Sequence, residues 1–388
     1  MKVRRPDYFK DFCCTGSDCS DNCCIGWEID IDMETMERYR KAEGMFGRRL
    51  HNSISSDDEP HFILKNERCP FLNKENLCDI IVTMGNDSIC EICREHPRYY
   101  EWFGYLKEAG LGLCCEEAAR LMLQNRTPLA FEETEESEEE GDEELLDEPE
   151  LLEALYEARE NVFWILQDRS RNLWERFEIV LSLATELQVI LDENDSGEKT
   201  EKMIRMVSAS FRNTEHRRSW FGKSDLPFQE GKGNQKEQRV RGIRTLLKFY
   251  EGMEAIDENW TKRLRDLENR LPALLDQEFS FRKYYEDFLY EYEHLAVYFI
   301  YRYFLKSYYD RDVISKAGMA AVSCLVIWIT GIYTWMETGE FSLKEQIRVV
   351  KDYSREVEYS TENMERLEEA FWTDESFRDA FFKIIAPL

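Results

Sequence analysis

Eleven of the twelve cysteines of this 388-residue chain lie between Cys13 and Cys115, and only Cys324 stands outside that stretch. They come in short-range groups, Cys14-x4-Cys19-x3-Cys23-Cys24, Cys69-x8-Cys78, Cys90-x2-Cys93 and Cys114-Cys115, separated by turn-rich segments such as Asn52 to Pro60. Thiolate is the metal-binding form of cysteine, and local pairs from distant segments are how a metal knot is assembled. The Cys90-x2-Cys93 spacing lets one tight turn offer two thiolates to one metal, and Cys19 and Cys23 share a face if their stretch is helical. Adjacent Cys23 and Cys24 point apart and could serve different sites. Sulfur at this density suits zinc or an iron–sulfur cluster, each taking four ligands, and spacing leaves both open. The candidate ligands are Cys14, Cys19, Cys23, Cys24, Cys69, Cys78, Cys90, Cys93 and Cys115. Cys13 and Cys114 read as readily as small buried apolar residues, and Cys324, inside an apolar run, reads only that way. Eleven sulfurs suffice for two four-ligand sites, or for one site with spare structural thiols.

Other chemistry is sparse. No Gly-x-Gly-x-x-Gly follows a strand pattern and no Walker loop is present, so the usual dinucleotide and phosphate cradles are missing from the sequence. The Cys-x3-Cys-x2-Cys spacing of radical adenosylmethionine enzymes is also absent, because Cys19-x3-Cys23 is followed directly by Cys24. Of the five histidines only His96 lies beside the cysteines, in Cys93-Arg-Glu-His-Pro-Arg98, where a structural donor is the first reading and a ligand or proton carrier the second. His51, His61, His216 and His294 read as surface or internally satisfied residues. No nucleophile with an adjacent base can be picked out.

The elements that must position the thiols divide the chain unevenly. The fold expected is mainly α: a small cysteine-rich, metal-binding domain of short irregular elements over 1–130, an acidic linker over 131–150, and an all-α domain over 151–388. In the first segment only 115–124 is a convincing helix, with strong helix formers throughout and Cys115 at its start, where the helix dipole favours thiolate. Glu132 to Glu150 carries thirteen acidic side chains and no basic one, too little apolar surface to offset the entropy of ordering. Beyond it, apolar residues recur at three and four over 151–170, 172–191, 200–212, 236–255, 257–276, 279–309, 312–336 and 343–371. A glycine- and proline-containing polar segment over 213–235 breaks the series as a loop. The aromatic-rich stretch Phe279 to Tyr309 reads as one helix buried all round, and no alternation after residue 130 suggests a strand.

The chain carries 51 basic and 79 acidic residues, and this net charge of −28 opposes nucleic acid or anionic membrane as a partner. Outside the acidic run about −15 remains. Met1 to Lys10 is basic but has no apolar core behind it, so a secretory signal is not expected and the cytoplasm is. In that reducing compartment clustered cysteines hold metal rather than form disulfides. Ala317 to Met336 lacks formal charge over twenty residues, a membrane-spanning length. Gly318, Ser323, Thr330, Gly331 and Thr334 within it, and acidic residues after it, point instead to a buried core helix.

Phe12-x-Cys14-x-Gly16-Ser17-x-Cys19-x3-Cys23-Cys24-x-Gly26-Trp27-x-Ile29-Asp30-Ile31-Asp32 resembles the opening of the flagellin lysine-N-methylase family. Cys69-Pro-Phe-Leu72 with Leu77-Cys78, then Cys90-x2-Cys93-x3-Pro97-Arg98, then Cys115-x-Glu117-Ala118-Ala119-Arg120-Leu121, resemble its later motifs in the same order. Tyr353-Ser354-Arg355-x2-Glu358 is similar to a weaker late motif, which usually continues with His where this chain has Tyr359. That departure argues against an indispensable imidazole there. The N-terminal motif also resembles a wider class of zinc- or iron-chelating cysteine-cluster proteins. The resemblance implies methylation of flagellin surface lysines, S-adenosylmethionine as donor, and an iron–sulfur cluster, [4Fe–4S], in the cysteine domain, with zinc as the alternative. It identifies neither the donor-binding residues nor the catalytic base. A non-catalytic metal-organised interaction module and an iron–sulfur redox protein are the competing expectations.

Overall fold

The computed structural model describes residues 1–385 apart from 21, 27–28, 57–58, 67, 137–146, 195–196 and 213–234. The polar break expected over 213–235 therefore lies outside the described residues up to 234, as does half of the acidic linker, 137–146.

The N-terminal third is built from β1 (Lys2–Pro6), α1 (Met33–Arg40), α2 (Gly44–His51), α3 (Asp79–Met84), α4 (Glu91–Glu95), β2 (Arg98–Phe103), β3 (Leu106–Leu111), α5 (Glu116–Gln124) and β4 (Phe131–Glu135). The four strands form one mixed sheet in the order β2-β3-β1-β4, with β1 parallel to β3 and antiparallel to β4. This sheet was not expected, and its last strand falls where a linker and no strand were. The reason is a partner distant in sequence: Lys2 faces Glu133 at 2.8 Å and Lys10 reaches Glu132 at 2.6 Å, so the basic opening of the chain neutralises the start of the acidic run.

From residue 149 the chain is helical, as the periodicity predicts: α6 (Pro149–Leu166), α7 (Leu173–Glu193), α8 (Glu198–Ser210), α9 (Gln235–Glu251), α10 (Glu258–Tyr284), α11 (Tyr290–Tyr303), α12 (Val313–Thr338), α13 (Leu343–Val357), α14 (Thr361–Thr373) and α15 (Glu375–Ile385). α12 is the central rod. Every residue from Ser315 to Ile332 is buried, Asp312 caps its start by accepting from the Ser315 amide at 2.9 Å, and Gly339 ends it at φ +74°. This helix is long and apolar enough to cross a membrane, yet 94% of its most apolar window is buried inside the protein, so it is the core helix expected over 317–336.

Two predicted helices are each two elements. The stretch 279–309 comprises the end of α10, a break at 285–289, α11, and short turns up to Asp310. Aromatic residues recur throughout it, but their surroundings change: Phe279 is 78% exposed whereas α11 is buried on almost every side. The stretch 343–371 divides at 358–360, where Ser360 accepts from the Asn363 amide and starts a new helix.

Two hydrophobic cores result. A small one gathers Ile29, Ile31, Tyr39, Leu50, Ile54, Phe62, Phe71 and Ile80 with Cys69 and Cys90. The large one runs from the sheet (Phe103, Leu106, Leu111) through α5 into α6 to α15. Within the large one, the buried Arg159 of α6 ties the sheet to the helices, pairing with Glu108 of β3 through Nη1 at 2.6 Å and donating to the Tyr301 carbonyl of α11. The sheet thus belongs with the helices, and the separately cored part of the cysteine-rich segment is residues 24–93.

Candidate functional site

The Cys69–Cys78 pair is presented by a knuckle that Asn73 organises, its side-chain oxygen accepting from the amides of Glu75 and Leu77 at 3.0 and 2.9 Å. The Cys69 amide donates to the Cys24 carbonyl at 2.8 Å, which lays the segment carrying Cys23 and Cys24 alongside. Cys90 is the N-cap of α4, and Cys93 lies one turn on. Asp32 brings this turn in: one oxygen caps α1 by accepting from the Thr35 amide at 2.8 Å, the other accepts from the Glu91 amide at 2.8 Å. Burial raises the Asp32 carboxyl, but these amides outweigh it and hold the group below its usual range.

Cys115 is the N-cap of α5, as expected from its position. Glu116, the next residue, accepts from the Ser20 amide at 2.9 Å and from the Ser20 hydroxyl, and Cys19 lies 3.8 Å from the same carboxylate. The Cys19 loop is thereby held against the start of α5.

All eleven N-terminal cysteines, the nine expected ligands with Cys13 and Cys114, line one cavity of about 980 Å³. None of them forms a disulfide. Within it Cys24, Cys69, Cys78, Cys90 and Cys93 are near enough to feel one another's charge, and Cys115 feels Cys19 and Cys23. Burial pushes Cys69 up to about 11 and Cys115 up to about 12, the latter against the helix N-terminal amides that were expected to favour thiolate. Cys90 and Cys93 share a hydrogen bond that holds Cys90 down and pushes Cys93 up. Among the described residues no three His, Cys, Asp or Glu side chains form a ready-made metal-holding group. The donor chemistry nevertheless fits a thiophilic metal: the neighbouring carboxylates are engaged, Glu116 with Ser20, Glu117 with Arg120 and Glu95 with Tyr100, which leaves sulfur as the available donor. His96 lines the same cavity edge-on to Tyr359, and burial pushes it down to about 4, so the ring is neutral near pH 7.

Part of the wall comes from the other end of the chain. Lys351 and Arg355 of α13, and Tyr359 just beyond it, line the same cavity, where Tyr359 is hydrogen-bonded to Cys114. Gly26 has φ +88°, a conformation that favours glycine, and the Arg355 guanidinium fills the space where a Cβ would lie. Glu358, next to Tyr359, is buried beneath this wall and accepts from Arg302 at 3.0 Å and from the hydroxyls of Tyr298 and Tyr303. Cys324 is buried in α12, away from the cavity, as expected. His294 is satisfied by the carbonyls of Met122 and Thr127. Sequence reasoning missed the bridging Asp32 and Glu116 and the wall residues Lys351, Arg355 and Tyr359 as cavity groups. For Arg355 a signal existed in the late motif; for Glu116 there was none.

A helical body whose C-terminal helices close a cysteine-lined cavity defines the class, and residues 159–385 match the family described as FliB lysine N-methylase C-terminal domain. The chain belongs to this family of lysine N-methylases, the one its cysteine motifs resemble. It is 27% identical over 143 residues to the flagellar biosynthetic protein FliU of Salmonella muenchen, covering 34% of this chain and 83% of that protein. It is also 27% identical over 148 residues to lysine-N-methylases of Salmonella choleraesuis and Salmonella typhimurium, in each case 34% of this chain and 35% of the relative. The matched part is thus about a third of the length of those two enzymes. No solved structure matches the chain.

Proposed function

We propose that this protein is a cytoplasmic S-adenosylmethionine-dependent methyltransferase acting on surface lysines of flagellin, with an iron–sulfur cluster, or zinc in its place, held by the N-terminal cysteines. The observation that carries the reading is the cavity itself, which all eleven N-terminal cysteines line together with Arg355 and Tyr359 from the family's C-terminal domain. Family membership and the names of the relatives support the reaction class. Cys24, Cys69, Cys78, Cys90 and Cys93 would hold one metal centre, and Cys14, Cys19, Cys23 and Cys115 are the candidates for a second. A bound metal would supply the positive charge that ionises buried thiols and would pin separate segments together.

In the transfer, the lone pair of a neutral lysine Nζ forms the new C–N bond as the S–CH₃ bond breaks, and the donor leaves as a neutral thioether. The amine proton must first be lost. Where the cavity is walled by Tyr39, Phe62, Leu72 and Ile80, the apolar surface disfavours the charged ammonium. The same walls hold nucleophile and methyl group in line, the main contribution a protein makes to such a displacement. The net charge of −28 attracts a lysine-bearing substrate and disfavours nucleic acid and anionic membrane.

Protein purified without oxygen, incubated with flagellin and labelled methyl donor, tests the reaction, and iron, sulfide and zinc analysis tests the metal. Label in flagellin lysines, lost when Cys90 and Cys93 are replaced, is the expected result. No transfer by metal-replete protein overturns the enzymatic reading, and a metal-free preparation that transfers at full rate overturns the metal.

A further inference from the structure

Among the described residues three tyrosines line the cysteine cavity, and their hydroxyls are committed differently. Tyr39 is fully buried and donates to the Ser88 carbonyl at 2.8 Å. Tyr100 donates to Glu95 at 2.7 Å, and the charge of that carboxylate would hold an amine arriving there as ammonium. Tyr359, just past the end of α13, keeps 37% of its surface exposed while its hydroxyl meets the Cys114 sulfur. Cys114 directs its own S–H toward the Gly112 carbonyl at 4.0 Å, so the hydrogen between Tyr359 and Cys114 comes from the phenol, whose oxygen turns lone pairs to its surroundings. This phenol is held from both ends of the chain. The Tyr359 amide donates to the Ser354 carbonyl at 3.2 Å, its neighbour Glu358 is anchored by Arg302, Tyr298 and Tyr303, and its ring lies edge-on to His96. A Cβ at Gly112 would come within 3.3 Å of the hydroxyl, so the glycine leaves the oxygen its room.

We propose that Tyr359 receives the substrate lysine: its phenol oxygen accepts an N–H from the neutral Nζ and leaves the Nζ lone pair directed at the methyl group. This rests on the methyl-transfer reading above. The nucleophile of that reaction is uncharged, so the group that orients it has to accept a hydrogen bond without stabilising the ammonium. A carboxylate fails the second condition, because its charge favours the protonated amine. A phenol, neutral up to about pH 10, meets both. Tyr359 therefore touches the amine and orients it, and holding the nucleophile in line is its contribution to the rate.

Steady-state methylation of flagellin by the anaerobically purified, metal-containing protein, with labelled S-adenosylmethionine, tests the assignment. Tyr359→Phe should lower kcat about tenfold to a hundredfold, the cost of leaving a buried N–H donor without an acceptor. KM for S-adenosylmethionine, metal content per chain and the thermal midpoint should stay at wild-type values. Cys114→Ala frees the hydroxyl without removing it and should cost less in kcat than Tyr359→Phe. Wild-type kcat in Tyr359→Phe overturns the proposal while leaving methyl transfer standing. A loss of kcat that comes with lost metal or a lowered midpoint, or a Cys114→Ala as damaging as Tyr359→Phe, would mean that the phenol serves the sulfur or the fold, and overturns it as well. Metal-replete wild-type protein that transfers no methyl group removes the reaction, and this inference with it.

Discussion

Replacing Asp32 by alanine removes one carboxylate that serves two helices. The cap on α1, the 2.8 Å bond from the Thr35 amide, is worth about 1 kcal/mol. The 2.8 Å bond from the Glu91 amide is charge-assisted but partly solvated, which places it near the low end of such bonds, about 1.5 kcal/mol. The loss is therefore about 2–3 kcal/mol. It falls on the small core of Ile29 to Cys90, and cores of that size supply only about 3–5 kcal/mol in total. Because the large core does not depend on Asp32, the damage should be local. Hydrogen exchange read residue by residue should quicken about 30- to 150-fold for protected amides within 29–93, and hardly at all in α6 to α15. Metal content should fall with it, since Cys90 loses the contact that fixes its turn. If protection in 29–93 is unchanged, or falls equally across the chain, the assignment of Asp32 as the clamp between the first and third cysteine groups is wrong.

Glu108→Ala leaves the fully buried Arg159 without its carboxylate and should cost about 3–5 kcal/mol in urea unfolding, with Glu108→Leu/Arg159→Met less destabilised than the single change; additive effects in that cycle would count against the pair. Gly318→Ala drives a methyl into the Phe371 ring, which cannot swing aside between α12 and α14, and should lose about 1–3 kcal/mol as a lowered denaturation midpoint. Glu291 is buried and accepts from the Tyr285 hydroxyl, and burial pushes its carboxyl up to about 8. Its folded value exceeds its unfolded one, so its contribution to stability is complete below the ordinary carboxylate range and is lost as pH rises through about 8, by up to about 1.4 kcal/mol per pH unit. Glu291→Gln should flatten stability between pH 6 and 8, and parallel wild-type and variant curves would contradict the assignment.

The helical body was legible because its signals are local. Apolar spacing located α6, α7 and α12 within a few residues, and the chemistry of Ala317 to Met336 distinguished a core helix from a membrane span. The breaks were not legible at 285–289, where the aromatic pattern continues while its environment changes from solvent to core. At 358–360 the Ser360 cap was a readable signal, hidden by uninterrupted apolar spacing on both sides. The sheet escaped because β1 and β4 are each short and charged, and only pairing across about a hundred residues or more, β1 with β3 and β4 with β1, makes either a strand. The cysteine groups were visible as candidate ligands, but their surroundings were not: whether a buried thiol meets amides, carboxylates or another thiol depends on contacts between segments.

Those contacts also bear on what organises the site. In the structure the segments are joined by bonds that contain no metal: the Cys69 amide to the Cys24 carbonyl, Asp32 to the start of α4, and Glu116 to Ser20. Gly26 against Arg355 adds a close packing contact between the two ends of the chain. Each lies within a few residues of a thiol, so the sulfurs are brought to one cavity by ordinary caps and turns. Lys351 and Arg355 give that cavity a wall from the late helices. Gly26 and Arg355, far apart in sequence, are where that wall and the cysteine segment fit together, which ties the late motif physically to the first cysteine motif.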